Sequence, residues 1–179
     1  MSWTTPPTFV SGDVLDAADL NILSDDLLYL YDVISGTTFM GVSLLRATSQ
    51  SISTATYTLL SWSAATLDVG GWWASGTDIT VPSAAIPSGF TTIALRIDAV
   101  IRFNANGVGS RQLVILQNGT GVAIQTASAL TGDTTTVSVF AVISAAVGDV
   151  IQIQGYQSSG STLGTADMQA AVTRLGGNT

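Results

Sequence analysis

The sequence predicts an all-β sandwich or barrel, preceded by an extended N-terminal arm and one short α-helix. Three observations carry this expectation. Beyond Val42 the chain is rich in Val, Ile, Thr and aromatic residues, in short runs broken by Gly, Pro and Ser turns and with no second helical pattern. Ile93, Leu95, Ile97, Ala99, Ile101 and Phe103 alternate with Arg96, Asp98, Arg102 and Asn104, the period of a strand with one face in a core. Upstream of Val42, one stretch repeats its apolar residues at helical spacing.

The arm covers residues 2–12, where Pro6 and Pro7 fix φ and remove two backbone donors, and where Trp3 and Phe9 are the only large side chains. The helix opens at Asp16 as N-cap, with Asp19 three residues on and Leu15 and Leu20 placed as a hydrophobic staple. Leu20, Leu23, Leu27, Leu30 and Ile34 then follow 3-4-3-4 spacing until Gly36 stops the pattern. A helix this short is marginal alone in water, whereas burying such side chains contributes about 1.5–3 kcal/mol each. The seam therefore needs cover, either from its own domain or, as the sharper reading, from further copies of the helix.

In the β region the turn-rich loop 104–109 follows the alternating strand. Residues 113–116 and 137–143 carry apolar side chains on both faces, the pattern of central strands. Gly148-Asp149 turns the chain into a strand where Ile151 and Ile153 alternate with Gln152 and Gln154, and a last strand covers about 166–175. No internal repeat is visible, so one β domain over 39–179 follows a short segment, 1–38.

Composition narrows the function. The five basic residues are all Arg and the twelve acidic ones all Asp, with no Lys, Glu, His or Cys among the 179 residues. Catalytic triads, thiolate or histidine metal sites and phosphate-binding Gly-Lys loops are excluded at the first step, and no cofactor or metal is expected. Charged residues make up 9% of the chain against about 25% in ordinary domains, so the surface must be solvated by Ser, Thr, Gly, Asn and Gln. A net charge of −7 argues against nucleic acid, whose binding needs clustered cations. No basic n-region with an apolar h-region stands at the amino terminus, and no apolar run approaches the roughly 20 residues that span a bilayer, so neither a secretory signal nor membrane insertion is expected.

Two carboxylates could still hydrolyse glycosidic bonds. Asp13, Asp16, Asp19, Asp25, Asp26 and Asp32 crowd the helical stretch, however, where capping and solvation account for them. Asp68, Asp78, Asp133 and Asp149 fall in loops without the spaced acidic run of a calcium site. Trp62, Trp72 and Trp73 lie in a Gly/Ser-rich stretch; core or interface packing is the favoured reading, and stacking on a sugar the alternative. With Asn104 and Asn106 they are the candidate ligand-facing positions. Asn118-Gly119-Thr120 reads as a hairpin turn.

From Gly41 onward the order of features resembles the C1q/TNF-like jelly roll as it occurs in phage structural proteins. The landmarks are Ile79-Thr80-Val81-Pro82, Ser88-Gly89-Phe90, the long alternating strand, Asn106-Gly107-Val108-Gly109 through Leu113, Asn118-Gly119, Ala146-Val147-Gly148-Asp149-Val150-Ile151 and the closing Arg174-Leu175-Gly176. Phe90 departs from the pattern, which has Tyr after the turn glycine. Trp3, Pro6-Pro7, Phe9, Gly12, Leu15, Ala17, Leu20 and Asn21 look like the short leader of phage tail and head appendage proteins.

These resemblances imply a homotrimeric, non-enzymatic virion protein assembled in the host cytoplasm. Trp3, Pro6, Pro7 and Phe9 would dock on other virion proteins, the helix would trimerise, and the jelly-roll sandwich would project outward as a head or tail decoration or fibre. Adhesion to a host surface glycan is the alternative role, and a polysaccharide depolymerase with two Asp a remote third.

Overall fold

The computed structural model describes residues 39–178, together with Leu20, Asn21, Ile22, Ser24 and Leu27, which are helical. Trp3, Pro6, Pro7 and Phe9 of the predicted arm, and Leu23, Leu30 and Ile34 of the predicted seam, lie outside the described residues. Phe39–Ile86 and Phe90–Thr179 form one compact unit.

Eleven strands build that unit: β1 (Gly41–Arg46), β2 (Ser51–Ile52), β3 (Thr58–Leu59), β4 (Ala64–Val69), β5 (Ile79–Thr80), β6 (Thr92–Phe103), β7 (Ser110–Gln117), β8 (Thr120–Ser128), β9 (Thr135–Ala146), β10 (Val150–Gln157) and β11 (Leu163–Asn178). A 3₁₀ turn at Ser83–Ala85 interrupts them. The strands form two antiparallel sheets, one six-stranded in the order β4-β1-β11-β6-β9 with β2 on β11, the other five-stranded in the order β3-β10-β7-β8 with β5 on β10.

The alternation seen in sequence becomes the sandwich core. Ile93, Leu95, Ile97, Ala99, Ile101 and Phe103 of β6 all point inward and are buried. They meet Leu113 and Ile115 of β7 and Ile151 and Ile153 of β10 in one cluster that also takes in Trp62 and Trp72. Gly155 lets the sheets come this close: a Cβ there would sit 3.3 Å from side-chain atoms of Ile52 and Leu60 and 3.4 Å from Ile101.

Two expectations are corrected. The apolar run 137–143 is not a central strand, because β9 forms an edge of the six-stranded sheet and pairs with β6 alone. Its inward row, Val137, Val139 and Ala141, is buried, while Phe140 and Val142 point outward and are 71% and 60% exposed. The last strand begins at Leu163 and ends at Asn178, longer than expected, with register shifts beside Ala166 and Leu175 that the period-two reading breaks on.

Topology sorts the connections between two ends. Gly41 pairs with Thr173, so the chain enters β1 at the end where β11 finishes, beside the 118–119 and 147–149 turns. Loops 47–50, 104–109, 129–134 and 158–162 gather at the opposite end.

Candidate functional site

At this loop end the inward rows of four strands change from apolar to polar. Arg111 continues the row of Leu113 and Ile115, Gln157 that of Ile151 and Ile153, and Thr135 that of Val137 and Val139, while Thr165 stands near the start of β11. These four are the buried polar or charged side chains among the described residues, each at most 2% exposed. Burying such groups is unfavourable unless their hydrogen bonds are made, and here each bonds to a different loop, with Arg111 Nε alone of its nitrogens left without a partner.

Arg111 donates from Nη1 to the carbonyls of Val108 and Ser110 and from Nη2 to that of Asn106, at 3.0, 3.0 and 2.7 Å, holding loop 104–109. Gln157 donates from Nε2 to the Ile52 and Ser161 carbonyls, and its Oε1 accepts the Ser159 N–H at 2.7 Å, holding loop 158–162. The Thr135 hydroxyl accepts the Leu130 N–H of loop 129–134, and the Thr165 hydroxyl accepts the Gln50 N–H of loop 47–50, both at 3.0 Å. Gly109 completes the packing: its φ is +77°, and a Cβ there would collide with the Ser158 carbonyl. The result is a crown of loops tied from beneath by buried side chains and bearing Ser, Thr, Asn and Gly, with Asp133 its single charged residue.

The outer face of the six-stranded sheet is a second candidate surface. Phe140 lies directly opposite Asp98 on β6, which in turn faces Ala171 on β11. Beside Phe140 runs a groove of about 310 Å³ lined by Asp98, Val100, Ser138, Gln169 and Ala171. Two exposed ion pairs stand on the same face, Arg96 with Asp98 at 2.8 Å and Arg102 with Asp167 at 2.7 Å. Such solvated pairs contribute little to stability, but they flank exposed apolar side chains.

The described carboxylates are engaged in local bonding. Asp68 accepts the backbone N–H groups of Gly71, Trp72 and Trp73, fixing the turn that drops Trp72 into the core. Asp149 accepts from Asn118 Nδ2, Gln117 Nε2 and the Ala146 N–H, which ties two turns together and holds its pKa below the ordinary carboxylate value, chiefly through Asn118. Asp78 is lowered in the same way by Gln152 and Thr77. Among the described residues no group of three or more His, Cys, Asp or Glu could hold a metal ion, and no helix is long and apolar enough to cross a membrane.

No family model matches the chain, and no curated protein matches it. Solved structures do. Murine APRIL, crystallised at pH 5.0, aligns with a TM-score of 0.55 at 15% identity, over 77% of this chain and 100% of that one. The globular domain of zebrafish complement 1qA protein aligns with a TM-score of 0.55 at 10% identity, over 78% and 99%. The domain is a C1q/TNF-like jelly roll.

Within this jelly roll the predicted ligand-facing residues separate. Trp62 and Trp72 are 4% and 1% exposed, so the core takes both, and neither faces a ligand. Trp73 is half-buried against the same core, its Nε1 donating to the Gly76 carbonyl at 3.4 Å. Asn104 is exposed in the crown, and Asn106 is half-buried there, its carbonyl held by Arg111 and its side chain accepting the Val108 N–H. The sequence reading missed Arg111, Gln157, Thr135, Phe140, Tyr57 and Tyr156. Arg111, Gln157 and Thr135 carried a signal, since each stands in phase with the buried residues of its own strand. Phe140 carried one too, alternating out of phase with β9's core row.

Proposed function

We propose that this protein is a non-enzymatic, homotrimeric structural appendage of a tailed-bacteriophage virion, a head or tail decoration or fibre. The outer face of the six-stranded sheet carries the assembly part of this reading. Phe140 and Val142, neighbours on the outward row of β9, are among the most exposed large apolar side chains described, and an exposed apolar pair on a sheet face calls for a partner surface. A knob and a groove side by side on one face suit a rotational contact, in which each copy offers one and receives the other until the ring closes. The C1q/TNF-like resemblance implies that the ring has three members. The virion role rests on the leader-like residues Trp3, Pro6, Pro7 and Phe9. It is favoured by a topology in which the chain enters the domain opposite the loop crown.

Light scattering on the full-length protein tests the assembly. The expected mass is three times 18.4 kDa, falling to one chain in Phe140→Asp, which sets a second carboxylate opposite Asp98, with the β signature in circular dichroism kept. A single-chain mass for the wild type would remove the proposal. A trimer that survives Phe140→Asp would transfer the contact to the seam of Leu20, Leu23, Leu27, Leu30 and Ile34.

A second reading, adhesion to a host surface glycan, is favoured by the crown itself. Four loops tied by buried side chains have less freedom for binding to remove.

A further inference from the structure

The five-stranded sheet turns a different chemistry outward. Strands β3, β5, β7, β8 and β10 contain one charged residue, Arg111, and it points inward and is buried. Near the crown the outward row is Tyr156 on β10, Gln112 opposite it on β7, and Thr126 opposite Gln112 on β8. Tyr57, one residue before β3, lays its ring against that of Tyr156 with centroids 4.8 Å apart and planes tilted by 36°. Its hydroxyl donates to Gln112 Oε1 at 2.6 Å. Tyr57 is nonetheless 47% exposed.

An aromatic ring held at both its face and its hydroxyl, yet left open to solvent, is a preorganised contact surface. The Tyr57 bond also sets the Gln112 amide, leaving Nε2 as a donor beside the rings, with the Thr126 hydroxyl next along the row. The surroundings decide the partner. Phosphate or carboxylate would meet no exposed cation on this sheet, and the carboxylate beside its strands, Asp78, is already bonded by Thr77 and by Gln152, four positions along β10 from Tyr156. An uncharged molecule with one flat C–H face and a rim of hydroxyls matches both parts.

We infer that the Tyr57–Tyr156 shelf, with Gln112 and Thr126, is a binding site for a neutral saccharide. A pyranose ring lies on Tyr57, and its hydroxyls take the Gln112 amide and the Thr126 hydroxyl. This deepens the glycan-adhesion reading by placing the sugar on the sheet face beside the crown, and each copy of the chain holds the whole site.

Saturation-transfer NMR on the full-length protein tests it, with maltohexaose, cellohexaose, chitohexaose and an α-1,6-mannohexaose as neutral probes and a heparin hexasaccharide as the charged one. The expected result is transfer to at least one neutral probe, weakened tenfold or more in Tyr57→Ala at an unchanged melting temperature. Tyr57→Phe, which keeps the ring and loses the Gln112 bond, should fall between. Transfer to none of the neutral probes, transfer to heparin alone, or equal binding by wild type and Tyr57→Ala would each overturn the proposal. The light-scattering mass of the same samples reports separately on the trimer.

Discussion

Arg111 sits with its guanidinium among three backbone carbonyls and its Cζ 5.8 Å from the centre of the Phe103 ring, with burial pulling its pKa below the usual arginine value. Arg111→Met fills similar space but strips the carbonyls of Asn106 and Val108 of this donor and leaves that of Ser110 with the Ser158 N–H alone. The expected loss is about 2–3 kcal/mol in urea unfolding, with faster amide exchange confined to loop 104–109. Asp149 makes a pH prediction. Its folded pKa lies below the unfolded value of about 3.9, so its contribution is full at neutral pH and fades as pH falls through the folded pKa. Asp149→Asn should therefore melt below wild type at pH 7, and the two melting temperatures should converge as pH falls below the unfolded value and through the lowered folded one.

At the scale of strands, Gly155 sets how closely β10 approaches the facing sheet. Gly155→Val should destabilise by about 1–3 kcal/mol through overpacking against Ile52, Leu60 and Ile101, read as a lower denaturation midpoint at unchanged slope. The strands also show what sequence can and cannot disclose. β6 was legible because both its neighbours pair along it and its apolar row faces one core, so alternation maps directly onto burial. β9 misled because periodicity records which positions are apolar and not what covers them, so an uncovered edge strand reads like a central one. The tryptophans were ambiguous for a related reason: Trp72 is buried by a turn that Asp68 holds through three backbone N–H groups, a long-range outcome of local hydrogen bonding. Tyr57 and Tyr156 are 99 positions apart in the sequence, and only the pairing of β3 with β10 brings them together.

Across the whole domain the surfaces divide by chemistry. The six-stranded face combines exposed apolar side chains with paired charges, the five-stranded face is rich in amides and carries Asp78 beside Gln152 as its nearby charge, and the crown is tied from within. If the first is a contact between copies, Phe140→Asp should change mass and leave saccharide binding per chain intact, while Tyr57→Ala should do the reverse; a variant that altered both would show the surfaces to be coupled. Finally, β1 begins and β11 ends at the same end of the sandwich, with Gly41 opposite Thr173. A domain attached in this way resembles a cartridge. Both of its junctions lie at one end, so another sandwich with the same entry and exit could be exchanged for it without either junction disturbing the loops at the opposite end.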